Sequence, residues 1–537
     1  MSAGWADLEA ADPAALSGVV TGRYIGLDPS SEAHFRLAAH WIEDCVKNHV
    51  ECSLVYTPSL PSEVLQYRSP LPTRVIDVGS ADGSRSPFLY ESDNQLGTYV
   101  TLSHRWGKTP TLTTEGNTLH ERKSGIELST LSNTFRDALS ITRRLGLRYL
   151  WIDALCIIQD SPVDWQRESS RMGEVYRNAL FTISATGAED SHRGCFQLRS
   201  APLLDSVKID CHLDDGSDCK VYIRVQTDHS DTNSFYDDGQ AAPLNDRAWC
   251  LQERLLSRRI LHYGKEQMFW ECHKLSLLED GSQCEGWSWK KRDFDVMRTC
   301  NLDQLSQVQV GQITEAVYTD WRSTIKRYTA RSLTRGTDKL PGLSGVANLI
   351  HAFTGDQYLA GLWRKDLPWE LMWSASFLAP LARPATYRAP SWSWASVDGD
   401  VEYSAVDSNI SSAVDIIDAQ IELLGHDKHG QVKGGWIKIS GALLFANSTA
   451  EHRAQSNAAE ILDESGHKIG SCHFDVKESV PRPVSCLLIR LENRPSPHYR
   501  ALILEATENV PGEYRRIGTG NVRTVLNAVE KRTVIIV

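Results

Sequence analysis

No run of apolar residues in this chain approaches the roughly 18 to 20 needed to cross a bilayer, so no membrane span is expected. Met1 to Gly18 is acidic and lacks a basic stretch leading into an apolar core, so no secretory signal is expected either. The 12 cysteines show none of the short, regular spacing of a secreted disulfide scaffold. Reduced thiols in a cytoplasmic protein are the expectation. Basic charge is in deficit: 57 Lys and Arg against 68 Asp and Glu leave a net charge of −11. That balance offers no footprint for nucleic acid or an anionic membrane surface. A phosphate-binding P-loop, a Gly-x-Ser-x-Gly elbow and a His-Glu-x-x-His zinc motif are all missing, and no internal repeat is evident.

What is present is a globular mixture. The chain has 537 residues, 41% apolar and 23% charged, enough for two or three domains. A helix is predicted from His34 to about His49, with Phe35, Ala38, Ile42 and Cys45 along one stripe. Cys45, His49 and Cys52 share a face there. Structural zinc needs about four ligands and no fourth stands nearby, so a packed helix end is read and no metal is expected. Arg74 to Val78 reads as a strand.

The densest pattern follows. Tyr99 to Ser103, Tyr149 to Asp153 and Leu180 to Ser184 read as buried strands. Helices from about Thr134 to Leu145 and Val163 to Ala179 stand between them. Thr134 is placed as the cap of the first and Gly146 as its end. Strand–helix–strand order with apolar runs implies a parallel sheet flanked by helices. Ligands meet such sheets beyond the carboxyl ends of the strands, where Ser103, His104, Trp106, Asp153 and Ser184 fall. Residues 188–246, rich in Asp, Ser and Gly, read as an insertion. A helix then starts at Arg247, and Arg259 to Tyr263 and Gln267 to Glu271 are two short strands. Residues 305–380 are mostly helical, and strands dominate from about 390. Trp392 and Trp394 are placed on one face of a strand, packed together.

Several of these stretches carry a resemblance. Residues 99–107 (YVTLSHRWG), 134–146 (TFRDALSITRRLG), 149–160 (YLWIDALCIIQD), 165–179 (WQRESSRMGEVYRNA), 247–257 (RAWCLQERLLS) and 264–272 (GKEQMFWEC) resemble the fungal heterokaryon-incompatibility (HET) domain family. Residues 71–79, 328–333 and 390–396 look like its usual flanks. The resemblance implies a part in self/non-self recognition that ends in programmed cell death. A second similarity, to the Toll/interleukin-receptor (TIR) domain, lies in the strand–helix order and in Trp249-Cys250-Leu251-Gln252-Glu253. It implies a flavodoxin-like sheet and, for Glu253, support of NAD cleavage at the nicotinamide–ribose bond. The insertion 188–246 departs from that pattern.

Each candidate residue carries two readings. Glu253 is either a carboxylate stabilising a ribosyl cation or a salt-bridge partner of Arg247, Arg254 or Arg258. Trp106 stacks a base or caps the core, and Arg105 holds a phosphate. Asp153 orients a ribose hydroxyl or His104, or else caps the turn after it. Ser103 and Trp249 complete the NAD-binding set. Cys156 with His104 is read as a nucleophile pair or as simple burial. Glu168 is placed on an exposed helix face and Met172 on a buried one.

The expected organisation is an N-terminal segment 1–70, an α/β domain 71–275 with its insertion 188–246, a helical segment 276–385 and a β-rich domain 386–537. The expected function is that of an incompatibility effector, with NAD as substrate and no other cofactor. Its α/β domain binds a protein partner or itself. The alternatives are a non-enzymatic self-assembling adaptor and an accessory enzyme of a metabolic gene cluster.

Overall fold

The structure, a computed structural model, describes residues 25–52, 68–80, 82–199, 206–212, 216, 218–224, 242–281, 283, 297, 305–376, 381–403, 410–449, 458–477, 482–492, 498–508, 510–523 and 529–537. The chain divides into two compact units, residues 1–301 and 302–537. Among the described residues no helix is long and apolar enough to cross a membrane.

Among the described residues, the first unit is built on a main sheet of eight strands. In chain order its elements are α1 (Glu32–Asn48), β1 (Arg74–Asp77), β2 (Phe88–Glu91), β3 (Tyr99–Ser103), α2 (Asn133–Arg144), β4 (Tyr149–Trp151), α3 (Asp153–Cys156), α4 (Pro162–Asn178), β5 (Thr182–Ser184), α5 (Ala248–Leu256), β6 (Arg259–Tyr263), β7 (Met268–Cys272) and β8 (Ser276–Leu278). The spatial order is β8-β7-β6-β5-β3-β4-β1-β2. Only the four central strands are parallel: β3 pairs in parallel with β4 and β5, and β5 with β6. The outer strands pair antiparallel on both sides. The sheet is therefore mixed, where a parallel one was predicted. The reason is local: connections as short as those between β6, β7 and β8 suit antiparallel neighbours, and parallel strands need a longer crossover.

Within the parallel core, the strands run 2-1-3-4 when counted along the chain, the doubly wound order of flavodoxin-like sheets. Every residue of β3 is buried, as a strand covered on both faces requires. Helix α4 locks onto it through two phenols. Tyr99 donates to the carbonyl of Val175 at 2.8 Å, and Tyr176 donates to that of Leu102 at 3.0 Å. Helix α2 buries Phe135, Ala138, Leu139 and Thr142 at helical spacing. It starts one residue earlier than predicted, with Ser132 as its cap and Thr134 inside it. Gly146 ends it with φ +73, a left-handed backbone that favours glycine. Glu168, placed on an exposed face from sequence, is 3% exposed and accepts from Arg167 Nε at 2.9 Å. A long stem and an adjacent arginine let this glutamate fold inward.

The insertion between β5 and β6 includes a hairpin, Ser206–His212 with Asp218–Arg224. The chain then returns through α5, the crossover helix into β6. A buried hydroxyl relay seats that helix. Thr101 and Thr182 lie 2.7 Å apart, Thr182 and Ser257 2.6 Å apart, and Ser257 donates to the carbonyl of Glu253 at 2.6 Å.

The second unit begins with two helices, α6 (Gln307–Thr329) and α7 (Ser344–Thr354). A capping box opens α6: Gln309 N–H donates to Ser306 Oγ, and Ser306 N–H donates to Gln309 Oε1 at 3.0 Å. Ser306→Ala is expected to cost about 1 kcal/mol, read as a lower urea midpoint at unchanged slope. Six strands of this unit pair in a closed antiparallel ring: Val432–Ser448, Arg482–Glu492, His498–Ala506, Glu513–Arg523, Lys468–Phe474 and Ala458–Leu462, which returns to the first. Closure leaves these strands no free edge along the ring. Ile461, Phe474, Leu488, Ile503 and Val522 belong to its apolar core. Trp392 and Trp394 are fully buried, yet not on a strand: Trp392 sits in a turn and Trp394 opens a 3-10 helix. Pro390 and the Ser393 side chain, which caps Ala395 N–H at 3.0 Å, favour the turn over extended pairing.

Candidate functional site

The chain reverses its direction of sheet building between β3 and β5, so a crevice is expected beyond their carboxyl ends. Register places Ser103 beside Ser184, and Ser184 beside His262 of β6. These three end-of-strand residues form one row. Over the row comes α5, whose Glu253 accepts a hydrogen bond from Ser103 Oγ. Glu253 is 5% exposed. Burial raises its carboxyl to about 7, against the opposing hydrogen bond from Ser103 and the charge of Arg247. Ser103, Thr182, Ser184, Asn245, Cys250 and His262 line a narrow recess with room for about one water.

Beside this recess lies an aromatic and acidic cluster. Trp106 Nε1 donates to Asp153 Oδ2 at 2.9 Å, and Asp153 Oδ1 lies 3.7 Å from His104 Nδ1. The rings of His104 and Trp106 are near-parallel, 13° apart, with centroids at 6.5 Å. Burial lowers His104 to about 4 despite Asp153, so its imidazole is neutral at physiological pH. Its Nε2 is buried and has no hydrogen-bond partner among the described residues. Arg247 donates to the His104 carbonyl at 2.7 Å. Gly107, at φ +81, makes the loop possible: a Cβ there would lie 2.3 Å from that of Asp190.

The sequence-predicted residues thus separate. Glu253 and Ser103 are in contact, while Trp106 and Asp153 form a bonded pair around His104. Arg105 reaches the carbonyl of Pro243 at 3.3 Å and Asp246 at 3.6 Å, tying down the turn that supplies Asn245. Trp249 packs partly buried against the core of this unit. Asp153 also accepts from Ala154 N–H at 2.8 Å, within the first turn of α3, whose cap position is Ile152. Arg254 forks onto Glu271 at 2.9 and 3.2 Å. Burial pushes the Cys156 thiol up to about 12, which leaves it protonated and a poor nucleophile.

His262 was not singled out from sequence. It shares a hydrogen bond with Thr186 at 2.9 Å and meets Glu271 at 3.1 Å. Its place near the end of a strand was the only signal. Tyr176, whose hydroxyl donates to the Leu102 carbonyl and helps hold the Glu253 carboxyl down against burial, read as helix packing.

Neither a curated protein nor a solved structure matches the chain. A family model does: residues 99–253 match the model described as Heterokaryon incompatibility protein (HET). The matched stretch opens on β3 and closes on Glu253 itself, spanning the parallel strands β3 to β5 and both residues of the Ser103–Glu253 contact. Residues 99–253 of this chain are thus similar to a heterokaryon-incompatibility domain.

Proposed function

We propose that the chain is a cytoplasmic incompatibility effector whose first unit cleaves NAD at the nicotinamide–ribose bond and so drives cell death. The observation that supports this best is Glu253: a buried carboxylate, poised near neutral pH, held by Ser103 where the strand order reverses. Groups with such shifts gather at active sites. The similarity of residues 249–253 to the TIR Trp-Cys-x-x-Glu supplies the substrate. In the reaction the bond between ribose C1′ and the nicotinamide nitrogen breaks, and its electron pair leaves with nicotinamide. A water oxygen then bonds C1′ and loses one proton. Ionised Glu253 stabilises the ribosyl cation and accepts that proton, passing it to solvent. His104 Nε2, a buried polar atom without a hydrogen-bond partner among the described residues, fits a substrate hydroxyl.

Only ionised Glu253 serves this chemistry. Turnover is therefore expected to fall as pH drops through about 7, the value to which burial raises the group. Trp106→Ala removes the stacking face, and KM for NAD is expected to rise roughly tenfold, or about 1.4 kcal/mol. An unchanged KM would remove Trp106 from the binding surface.

The water-sized recess favours a second reading. Substrate entry needs the Pro243–Asp246 turn to shift, or assembly to complete the site, and a domain that never opens is an adaptor. The deciding assay follows nicotinamide release by wild type and Glu253→Ala over a wide range of protein concentration. Release that the folded variant loses supports the hydrolase. No release at any concentration, with toxicity in cells unaltered by Glu253→Ala, replaces it with the adaptor.

A further inference from the structure

At the opposite end of the same sheet, four soft donors converge. Cys45 lies in the last turn of α1, His49 caps that helix, Cys52 ends the 3-10 turn after it, and Cys272 is the last residue of β7. The three sulfurs and one imidazole nitrogen all lie within 4.8 Å of one another, and all four residues are buried. A tetrahedral zinc site with metal–sulfur bonds of about 2.3 Å has sulfur atoms about 3.8 Å apart, and His49 Nδ1 stands 3.4 Å from Cys272 Sγ. We propose that Cys45, His49, Cys52 and Cys272 bind one structural zinc ion. This proposal is independent of the NAD reading.

Three observations around the cluster fit a metal. His49 turns its other nitrogen, Nε2, toward Asp44 Oδ2 at 3.5 Å. A carboxylate behind a histidine is the usual way a ligating imidazole is oriented. Arg259, 2% exposed, donates from Nε to Cys45 Sγ at 3.1 Å and from Nη2 to the Cys52 carbonyl at 2.9 Å. Three thiolates and a neutral histidine around Zn²⁺ carry a net charge of −1, and the Arg259 guanidinium cancels it inside the protein. The donor set itself, three thiolates and an imidazole with four-fold closure, is that of a structural zinc site, and soft sulfur ligands disfavour magnesium or calcium.

The topology gives the ion a task. Cys272 pairs in register with Arg259 at the amino end of β6, while Ser184 and His262 lie toward the carboxyl end. Zinc would staple α1 and its following turn to β7, far from any reacting group. The first three ligands are close in sequence, but Cys272 comes 223 residues after His49, which is why sequence spacing hid the fourth.

The test is the metal content of wild-type protein purified without chelator or added metal. One zinc per chain is expected, released on titration with a mercurial thiol reagent. Cobalt(II) taken up by metal-stripped protein should give the intense visible bands of tetrahedral thiolate coordination. Cys272→Ser should lose the ion, while Cys156→Ser should retain it. Asp44→Asn, which leaves every ligand in place, should weaken zinc binding by about 10- to 100-fold. Wild type that is free of metal and gives no thiolate-type cobalt spectrum overturns the proposal without any variant. So does zinc that survives in folded Cys272→Ser.

Discussion

Replacing Glu253 with glutamine should stabilise the protein at alkaline pH and abolish nicotinamide release. Burial raises the carboxyl from its ordinary value near 4.5 to about 7. At 1.36 kcal/mol per unit this is about 3 kcal/mol. The sign follows from proton counting. Between these two values the folded protein holds a proton on Glu253 that the unfolded chain has lost, so wild-type stability falls as pH rises from about 4.5 to about 7. Glutamine resembles the protonated form at every pH. The stability gained by Glu253→Gln should thus be near zero below about pH 4 and reach about 3 kcal/mol above about pH 8. A stabilised, inactive protein is the pattern expected when a costly group is kept for function. His104 runs the other way: its lowered value makes stability fall as pH drops from 6.5 through about 4. In wild type the two trends oppose each other, and Glu253→Gln unmasks the histidine. Urea unfolding of both proteins across this range measures the difference. A glutamine variant no more stable than wild type at pH 8 would show that the Glu253 carboxylate is already well satisfied, as a structural pair would be.

Much of this site was legible in the sequence because its parts sit at strand ends, and strand ends follow from buried apolar runs. Residues 99–103 and 180–184 are short, mostly apolar runs bounded by turn residues, so Ser103 and Ser184 were placed at strand ends from the sequence alone. What the pattern could not give was pairing. The contact between Ser103 and Glu253 spans 150 residues, and the insertion between them left the position of α5 open. The Thr101–Thr182–Ser257 relay that seats α5 is made of residues with no distinctive pattern. The antiparallel margins of the sheet were missed for a related reason. A short fully buried strand such as β6 or β7 reads the same whichever way its neighbour runs. In the second unit, strands were expected at 436–439, 486–490, 501–504 and 533–537 from short runs separated by turns, but ring closure depends on the pairing of Val432–Ser448 with Arg482–Glu492, which no local signal encodes.

Arg516 shows how much of the second unit rests on one such non-local pairing, and its loss should be the most destabilising single change there. The side chain is fully buried. Its Nε and Nη2 meet Asp475 at 3.0 and 2.9 Å, its Nη1 donates to the Leu371 carbonyl at 2.7 Å, and its guanidinium lies 3.2 Å from the Trp373 ring centroid. A strand of the closed ring is thereby tied to the segment that carries Leu371 and Trp373. Arg516→Met removes the cation but leaves Asp475, itself 1% exposed, as a buried charge without its partner. Breaking one side of a buried pair in this way costs about 3 to 5 kcal/mol. Arg516→Lys should recover little of it, because an ammonium cannot fork onto the carboxylate and reach the carbonyl together. The decisive protein is the double variant, Arg516→Met with Asp475→Asn. If the stranded charge is the main cost, neutralising it should restore about half of the lost stability, a coupling well above the additive expectation for separate sites. Amide exchange in residues 513–523, followed with urea unfolding, reads the effect in the strand itself. A single Arg516→Met variant that loses less than about 1 kcal/mol would show that water or neighbouring groups satisfy Asp475 unaided. The ring would then stand without this tie.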